Sequence, residues 1–360
     1  MSLVAALNPP VRKSKPLPSV GEFVRFNDPT TESAVVRLTN PSSASFLPAA
    51  GNCFISLKER FLVFSSDRTG RLTPFRLDLR TGALRSLTLT TALHPESLCL
   101  DAQGRFLYLL NGSSLRQVAI GNDKVEELAD SVSAFCLGNS PADLMVVRQG
   151  RLQQWNGTAR VLAENVGPWC ALQPSGPGCA FARNSMADGQ EFWYVPVSAM
   201  SNQMSNRRSN QASNASPVLL AKGRISNPFW SPDGKSLMFL REVSSNGSFV
   251  SEIHEAYPGT ATEQHVAPTS QFAAFAPNGD GSVFVGASRS KAQPTVNLLL
   301  RSVQREFTLC EHRASHPASV NPVFSPDSRR IYFQSDHQGK SALYSVNIES
   351  LVEPTGAAAV

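Results

Sequence analysis

Long apolar runs are missing from this chain. Nowhere do about 18 to 20 consecutive apolar residues occur, the length a membrane-spanning helix needs, so no membrane partner is predicted. Charge is sparse as well, at 17%, and no Lys/Arg tract is present beyond RKSK at 12–15 and the pair Arg207–Arg208. A nucleic-acid binder is expected to carry denser basic patches with interleaved aromatics. The net charge of +5 therefore reads as an ordinary solvated surface, with no nucleic-acid partner. The six cysteines lack metal-type spacing and predict free thiols in a reducing compartment, although Cys170 and Cys179 could approach one another. The opening MSLVAAL precedes the basic NPPVRKSKP, the reverse of a secretory signal, which predicts a cytoplasmic protein. A GxSxG elbow, a Walker loop and a GxGxxG after a strand are all absent, which excludes the chemistries they carry.

What the sequence does hold is a repeat. FWSPDGKSLMFL at 229–240, FAPNGDGSVFVGA at 275–287 and FSPDSRRIYFQS at 324–335 each end one apolar strand, turn, and begin another. Proline presets φ, and Asp, Asn or Gly accept the turn geometry, so each segment predicts a hairpin. Weaker copies are FISLKERFLVFSS, LCLDAQGRFLYLL, FCLGNSPADLMVV and CALQPSGPGCAFA. SSDRTGRLTPFRLDL at 65–79 and QSDHQGKSALYSVNI at 334–348 share S-D-x-x-G followed by an alternating strand, and RTGALRSLT adds an outer one. Four antiparallel strands per unit make a propeller blade. Hairpins near Lys58, Ala102, Ser140, Ser175, Pro232, Asn278 and Asp327 give seven units.

The last unit offers only three strands, and SAVVRLT at 33–39 belongs to no unit. Pairing the two closes the ring and removes two open sheet edges. The sequence therefore predicts an all-β fold, a single seven-bladed β-propeller of four-stranded antiparallel blades over 33–351, closed by an N-terminal strand. An extension at 1–32 precedes it and a tail at 352–360 follows. The Ser/Asn-rich segment 198–217 has almost nothing to bury and predicts a disordered insertion in the fourth blade.

The Gly-His and Trp-Asp dipeptides of WD40 repeats are absent, and the PDG turns resemble the repeats of the TolB propeller group. Within that group the chain is similar to the oligogalacturonate lyases of polysaccharide lyase family 22. FNDPTTESAVVRLTNP and the first blade through DLRTGALRSLT carry the likeness, with SVFVGA, LCEHRAS, NPVFSPD and FQSDHQGKSALYSVNI in the last two blades. It is thin between residues 90 and 220. The resemblance implies a short anionic uronic-acid oligomer as substrate. It also implies Mn²⁺, held mainly by channel histidines, and a histidine that removes the C5 proton for β-elimination. A proton beside a carboxylate becomes abstractable when the developing charge is stabilised.

At those positions the chain departs from the family. Where the family has His-Pro-His-Pro before its last hairpin, with a Gln three residues ahead, this sequence reads HPASVNPVFSPD. The two histidines fall on Ser319 and Asn321 and the Gln on His316. A family His-Glu-Phe-Trp corresponds to NPFW, which places Asn227 at a channel position. Trp169 is the nearest residue to a family histidine at the start of the fourth blade, and Gln271 lies near another. Amides and hydroxyls are poor Mn²⁺ ligands beside imidazole or carboxylate. Asn227 and Asn321, each followed by Pro, are expected to cap strand starts. His94, His312 and His337 read as turn or strand-end residues, and His316 as the one candidate base or ligand in the channel lining.

Three functions follow from this reading. In the first, the metal and base site is degenerate, no cofactor is needed, and the channel binds an acidic oligosaccharide or another small anionic ligand. In the second, oligogalacturonate-lyase elimination in pectin breakdown survives with Mn²⁺ and His316. In the third, a TolB-like scaffold binds a protein partner at its rims. Basic residues around the channel mouth would favour the first two, and an apolar aromatic rim the third.

Overall fold

The repeated turns are hairpins in the computed structural model, which describes residues 21–138, 143–155, 159–184, 189–197, 216–245, 247–260, 262–349 and 351. One polar side chain closes each of five turns. Ser231 Oγ accepts from Ser236 N (3.1 Å), Ser325 Oγ from Arg330 N (3.0 Å) and Ser56 Oγ from Phe61 N (3.1 Å). Asn278 Oδ1 accepts from Val283 N (3.1 Å) and Asp101 Oδ1 from Phe106 N (2.9 Å). Three residues beyond each of these, the backbone turns left-handed at Glu59, Gly104, Gly234, Gly281 and Ser328. Glycine takes that conformation without a Cβ clash, which is why the repeat carries PDG at Gly234. Asp233 accepts from Ser231 Oγ (2.7 Å) and Lys235 N (3.1 Å) inside the same turn.

Seven antiparallel sheets result. Blade 1 contains Ser45–Phe46, Phe61–Ser66, Thr73–Asp78 and Leu84–Ser86. Blade 2 contains Cys99–Leu100, Phe106–Asn111, Ser114–Ala119 and Val125–Ala129. Blade 3 contains Val132–Leu137, Leu144–Arg148, Arg151–Trp155 and Ala159–Glu164. Blade 4 contains Cys170–Leu172, Gly178–Asn184, Gln190–Pro196 and Val218–Gly223. Blade 5 contains Ile225–Trp230, Leu237–Ser245, Ser248–Ala256 and Glu263–Pro268. Blade 6 contains Phe272–Pro277, Val283–Ser288, Thr295–Leu300 and Arg305–Glu311.

Blade 7 is built from both ends of the chain. Val323–Phe324, Arg330–Ser335 and Ala342–Asn347 supply three strands. Ala34–Arg37 is the fourth, with Val35 opposite Val346 and Arg37 opposite Tyr344, so the N-terminal strand closes the ring. Val24–Asn27, ahead of the expected start at residue 33, pairs with Ala34–Arg37 and makes this sheet five-stranded. Of the insertion at 198–217, residues 198–215 lie outside the described residues.

Blades stack face against face, so their second strands are covered on both sides. Phe61–Ser66 and Val283–Ser288 are buried throughout, whereas the outer strand Val125–Ala129 is largely exposed. The largest apolar cluster runs through blades 6, 7, 1 and 2, from Leu298 through Phe333 and Val35 to Leu107. Smaller clusters bridge successive blades from blade 2 to blade 6. No helix among the described residues is long and apolar enough to cross a membrane.

Candidate functional site

The first strands of the blades surround a central channel of about 1780 Å³. Its two ends differ chemically. At the end where the inner strands begin stand Asn52, His94, Glu96, Ser97, Ser133, Trp169, Asn227, Ser319 and Asn321. At the end where they run into the hairpins stand Leu57, Ala102, Leu137, Leu172, Pro174, Pro177, Pro277 and Phe324, with Asp143. Of the residues singled out from sequence, Trp169, Asn227, Ser319 and Asn321 line this channel; His316 and Gln271 are exposed and lie outside its described wall.

The asparagines do not cap their own strands. Asn321 Nδ2 donates to Pro48 O (2.5 Å) in blade 1, and Asn227 Nδ2 donates to Ala273 O (3.1 Å) in blade 6. Asn52, which the sequence reading missed, donates to Glu96 O (3.0 Å) and Leu98 O (3.2 Å) in blade 2. Each amide thus ties one blade to the next at the polar mouth. Asn227 and Asn321 have left-handed backbones, with φ of 52° and 49°, a region asparagine enters more readily than most residues.

A second repeat sits at the same mouth. His94-Pro95-Glu96-Ser97 and His316-Pro317-Ala318-Ser319 form matching 3₁₀ turns at Pro95–Ser97 and Pro317–Ser319. In both, the serine hydroxyl donates to the histidine carbonyl at 2.7 Å. The two histidines differ in surroundings. His94 lines the channel, whereas His316 lies on the side of Asp336. Burial pushes the Asp336 carboxyl up, but hydrogen bonds from Ser315, and more weakly the influence of His316, hold it below its ordinary value. The expected channel histidine therefore lies outside the described wall, and the one read as a turn residue lines it. The repeated His-Pro-x-Ser was the available signal.

Cations stand one step back from the wall. Arg68, Arg148, Arg183 and Arg289 lie at or next to the ends of the second strands of four blades on the polar side, and Arg241 lies within the second strand of blade 5. Four of them meet carboxylates: Arg68 with Glu22 at 2.8 Å, Arg289 with Glu242 at 3.0 Å, Arg148 with Asp130 and Arg241 with Glu263. Arg183 lies 4.2 Å from the Trp193 ring and donates to Glu164 O (3.3 Å). Among the described wall residues there is no Lys or Arg, and the carboxylates are Glu96 and Asp143. On the blade 3 and 4 side Cys136 and Cys170 reach the wall, and Cys179 packs behind them. Burial pushes the Cys136 and Cys179 thiols well up, so they stay protonated.

Ring and channel together define a seven-bladed β-propeller with a continuous axial cavity. In three dimensions the chain is similar to an oligogalacturonate lyase in complex with manganese, with a TM-score of 0.78 and 19% identity over 94% of this chain and 99% of that one. It is equally similar to the oligogalacturonate lyase of Vibrio parahaemolyticus, with a TM-score of 0.78 and 16% identity over 94% and 100%. Hydrazine synthase of Kuenenia stuttgartiensis follows at 0.57 and 13% identity over 82% and 95%. At these identities the likeness establishes the fold. No family model and no curated protein matches the sequence.

The wall does not suit a manganese ion. Ser319, Asn321 and Asn227 offer only neutral hydroxyl and amide oxygens, their O–H and Nδ2 groups donating to backbone carbonyls. Among the described residues no group of three or more His, Cys, Asp or Glu side chains could hold a metal. Neutral amide and hydroxyl oxygens hold Mn²⁺ less tightly than carboxylate or imidazole.

Proposed function

We propose that this protein is a ligand-binding propeller built on the oligogalacturonate-lyase fold, without metal-dependent elimination. One observation carries the proposal: the side chains where the resemblance puts metal-binding histidines serve as structural ties. Asn321 and Asn227 hold adjacent blades, and Ser319 closes its own turn.

The channel remains the binding site, but the acidic ligand implied by the resemblance finds no cationic partner in the described wall. Four rim arginines are already neutralised by carboxylates. An anion entering the channel would be desolvated beside Glu96, a cost that only an opposite charge offsets.

The test is an assay of the purified full chain with digalacturonate and trigalacturonate, with added Mn²⁺ and with a chelator. We expect no rise in the ultraviolet absorbance of an unsaturated uronate and no manganese retained by elemental analysis. Product formation that the chelator abolishes would overturn the proposal. The Ser319→His/Asn321→His double variant is expected to remain inactive, because its imidazoles replace groups that hold the mouth together.

A further inference from the structure

We infer that the polar mouth of the channel binds an uncharged polyhydroxylated ligand, a neutral saccharide, stacked on Trp169. The inference rests on the binding reading above and names the ligand class.

Trp169 is half-buried, lines the channel and follows Pro168, which also lines it. One side of its ring packs on Phe192, with ring centroids 5.3 Å apart. That contact fixes the indole while the remainder borders the cavity. Its Nε1–H has no hydrogen-bond partner among the described residues. The other blade 4 and 5 indoles do have one: Trp193 donates to Glu191 (2.9 Å) and Trp230 to Ala171 O (3.0 Å). A rigid aromatic surface with an unspent donor suits a ligand that has an apolar face and hydroxyl edges.

Asn227, on the neighbouring blade, supplies the complement. Its Nδ2 is spent on Ala273 O, which fixes the amide and leaves Oδ1 as an acceptor with no partner among the described residues. Asn321 is arranged in the same way across the channel. Hydroxyl groups can donate to amide oxygens and accept from the indole N–H, so both kinds of unspent group are met at once. Charge selects within this class. With a carboxylate at Glu96 and no described cation in the wall, a uronate is disfavoured relative to its uncharged counterpart.

Galactotriose with the α-1,4 linkage differs from trigalacturonate only in having CH₂OH in place of carboxylate groups, so the pair isolates that choice. Titration of the full chain with galactotriose, cellotriose and maltotriose, followed by tryptophan fluorescence and calorimetry, should show binding by at least one of them. Trigalacturonate should bind at least about tenfold more weakly than the best neutral trisaccharide. Trp169→Ala should lower that affinity about tenfold or more, and Trp169→Phe should lower it less while keeping the melting temperature. Failure of all three neutral sugars to bind, tighter binding of trigalacturonate, or an unchanged affinity in Trp169→Ala would each overturn the inference. Those outcomes are separate from the appearance of an unsaturated product, which would instead overturn the non-catalytic reading.

Discussion

Blades 6 and 7 have the same plan, but their outer strands are held in different ways. In blade 6, Arg305–Glu311 follows Thr295–Leu300 after a short turn and pairs along its length from Leu300 with Arg305 to Thr295 with Glu311. A hairpin turn brings the strands together at little entropic cost, and this outer strand leaves Phe307 42% exposed. In blade 7 the fourth strand comes from the far end of the chain, and only three of its residues pair in register with the third. It compensates with burial and directed hydrogen bonds. Val35, Leu38 and Thr39 are buried, Leu38 N donates to Leu343 O (2.7 Å), and Leu343 N donates to Thr39 Oγ1 (2.9 Å). A strand without a turn must carry in its side chains the register that a turn would otherwise set.

The most damaging way to break this arrangement is removal of residues 1–39. It exposes the edge of Ala342–Asn347 and uncovers apolar side chains, so we expect a loss of more than about 3 kcal/mol and a sharp fall in solubility. An unchanged melting temperature would show that closure contributes nothing. Thr39→Val keeps the shape of the side chain but leaves Leu343 N without its acceptor. Denaturant unfolding should show a loss of about 1–3 kcal/mol.

The junction between the two blades sharpens the comparison through pH. His312, just past the blade 6 outer strand, is fully buried; its Nδ1 accepts from Ala314 N (3.0 Å) and its Nε2 faces Ser288 O (2.9 Å). This fixes a neutral ring with the proton on Nε2, and burial, assisted by nearby His337, holds its pKa below the ordinary value. The unfolded chain therefore takes up a proton first. Stability from this group is present above the ordinary histidine pKa of about 6.5 and is lost as pH falls through the lower folded value. His312→Asn should cost about 1–2 kcal/mol at pH 8 and flatten the stability profile below about pH 6.5; a profile as steep as the parent's would refute the assignment.

Asp28 works in a lower window. Burial pushes its carboxyl up, but hydrogen bonds from Glu311 N, Thr31 and Thr30 outweigh this and hold it below the usual carboxylate range. Its contribution is present above the ordinary aspartate pKa and is lost as pH falls through the lowered one. Asp28→Asn should therefore lose about 1 kcal/mol near neutrality and less in acid. The smallest effect belongs to the blade 6 surface: Phe307→Ser and Val303→Ser should each stay within about 0.5 kcal/mol of the parent.

The blades were legible because their hairpins are local. Ser231, Asp233 and Gly234 encode one turn within a few residues, and counting such turns gives seven. Closure was legible by elimination, since the strand at 33–39 had no other partner. The extra strand Val24–Asn27 was not, because its partner is itself an added strand. Channel positions Asn227, Ser319 and Asn321 came from the resemblance, which sets them where the family has histidines, and all three line the cavity. His316 does not, because its 3₁₀ turn projects successive side chains in different directions, and position alone does not say which one meets the cavity. Nor could spacing show that the rim arginines meet Glu22, Asp130, Glu242 and Glu263, since those pairings arise only in the folded ring.

Pairing Val35 with Val346 also orders events in time. During synthesis, Ala34–Arg37 leaves the ribosome early and waits while blades 1 to 6 emerge and pair locally. Contacts so distant in sequence are slow to form. Until Ala342–Asn347 arrives, the nascent chain carries an unpaired apolar edge, and that interval is when it most needs chaperone cover.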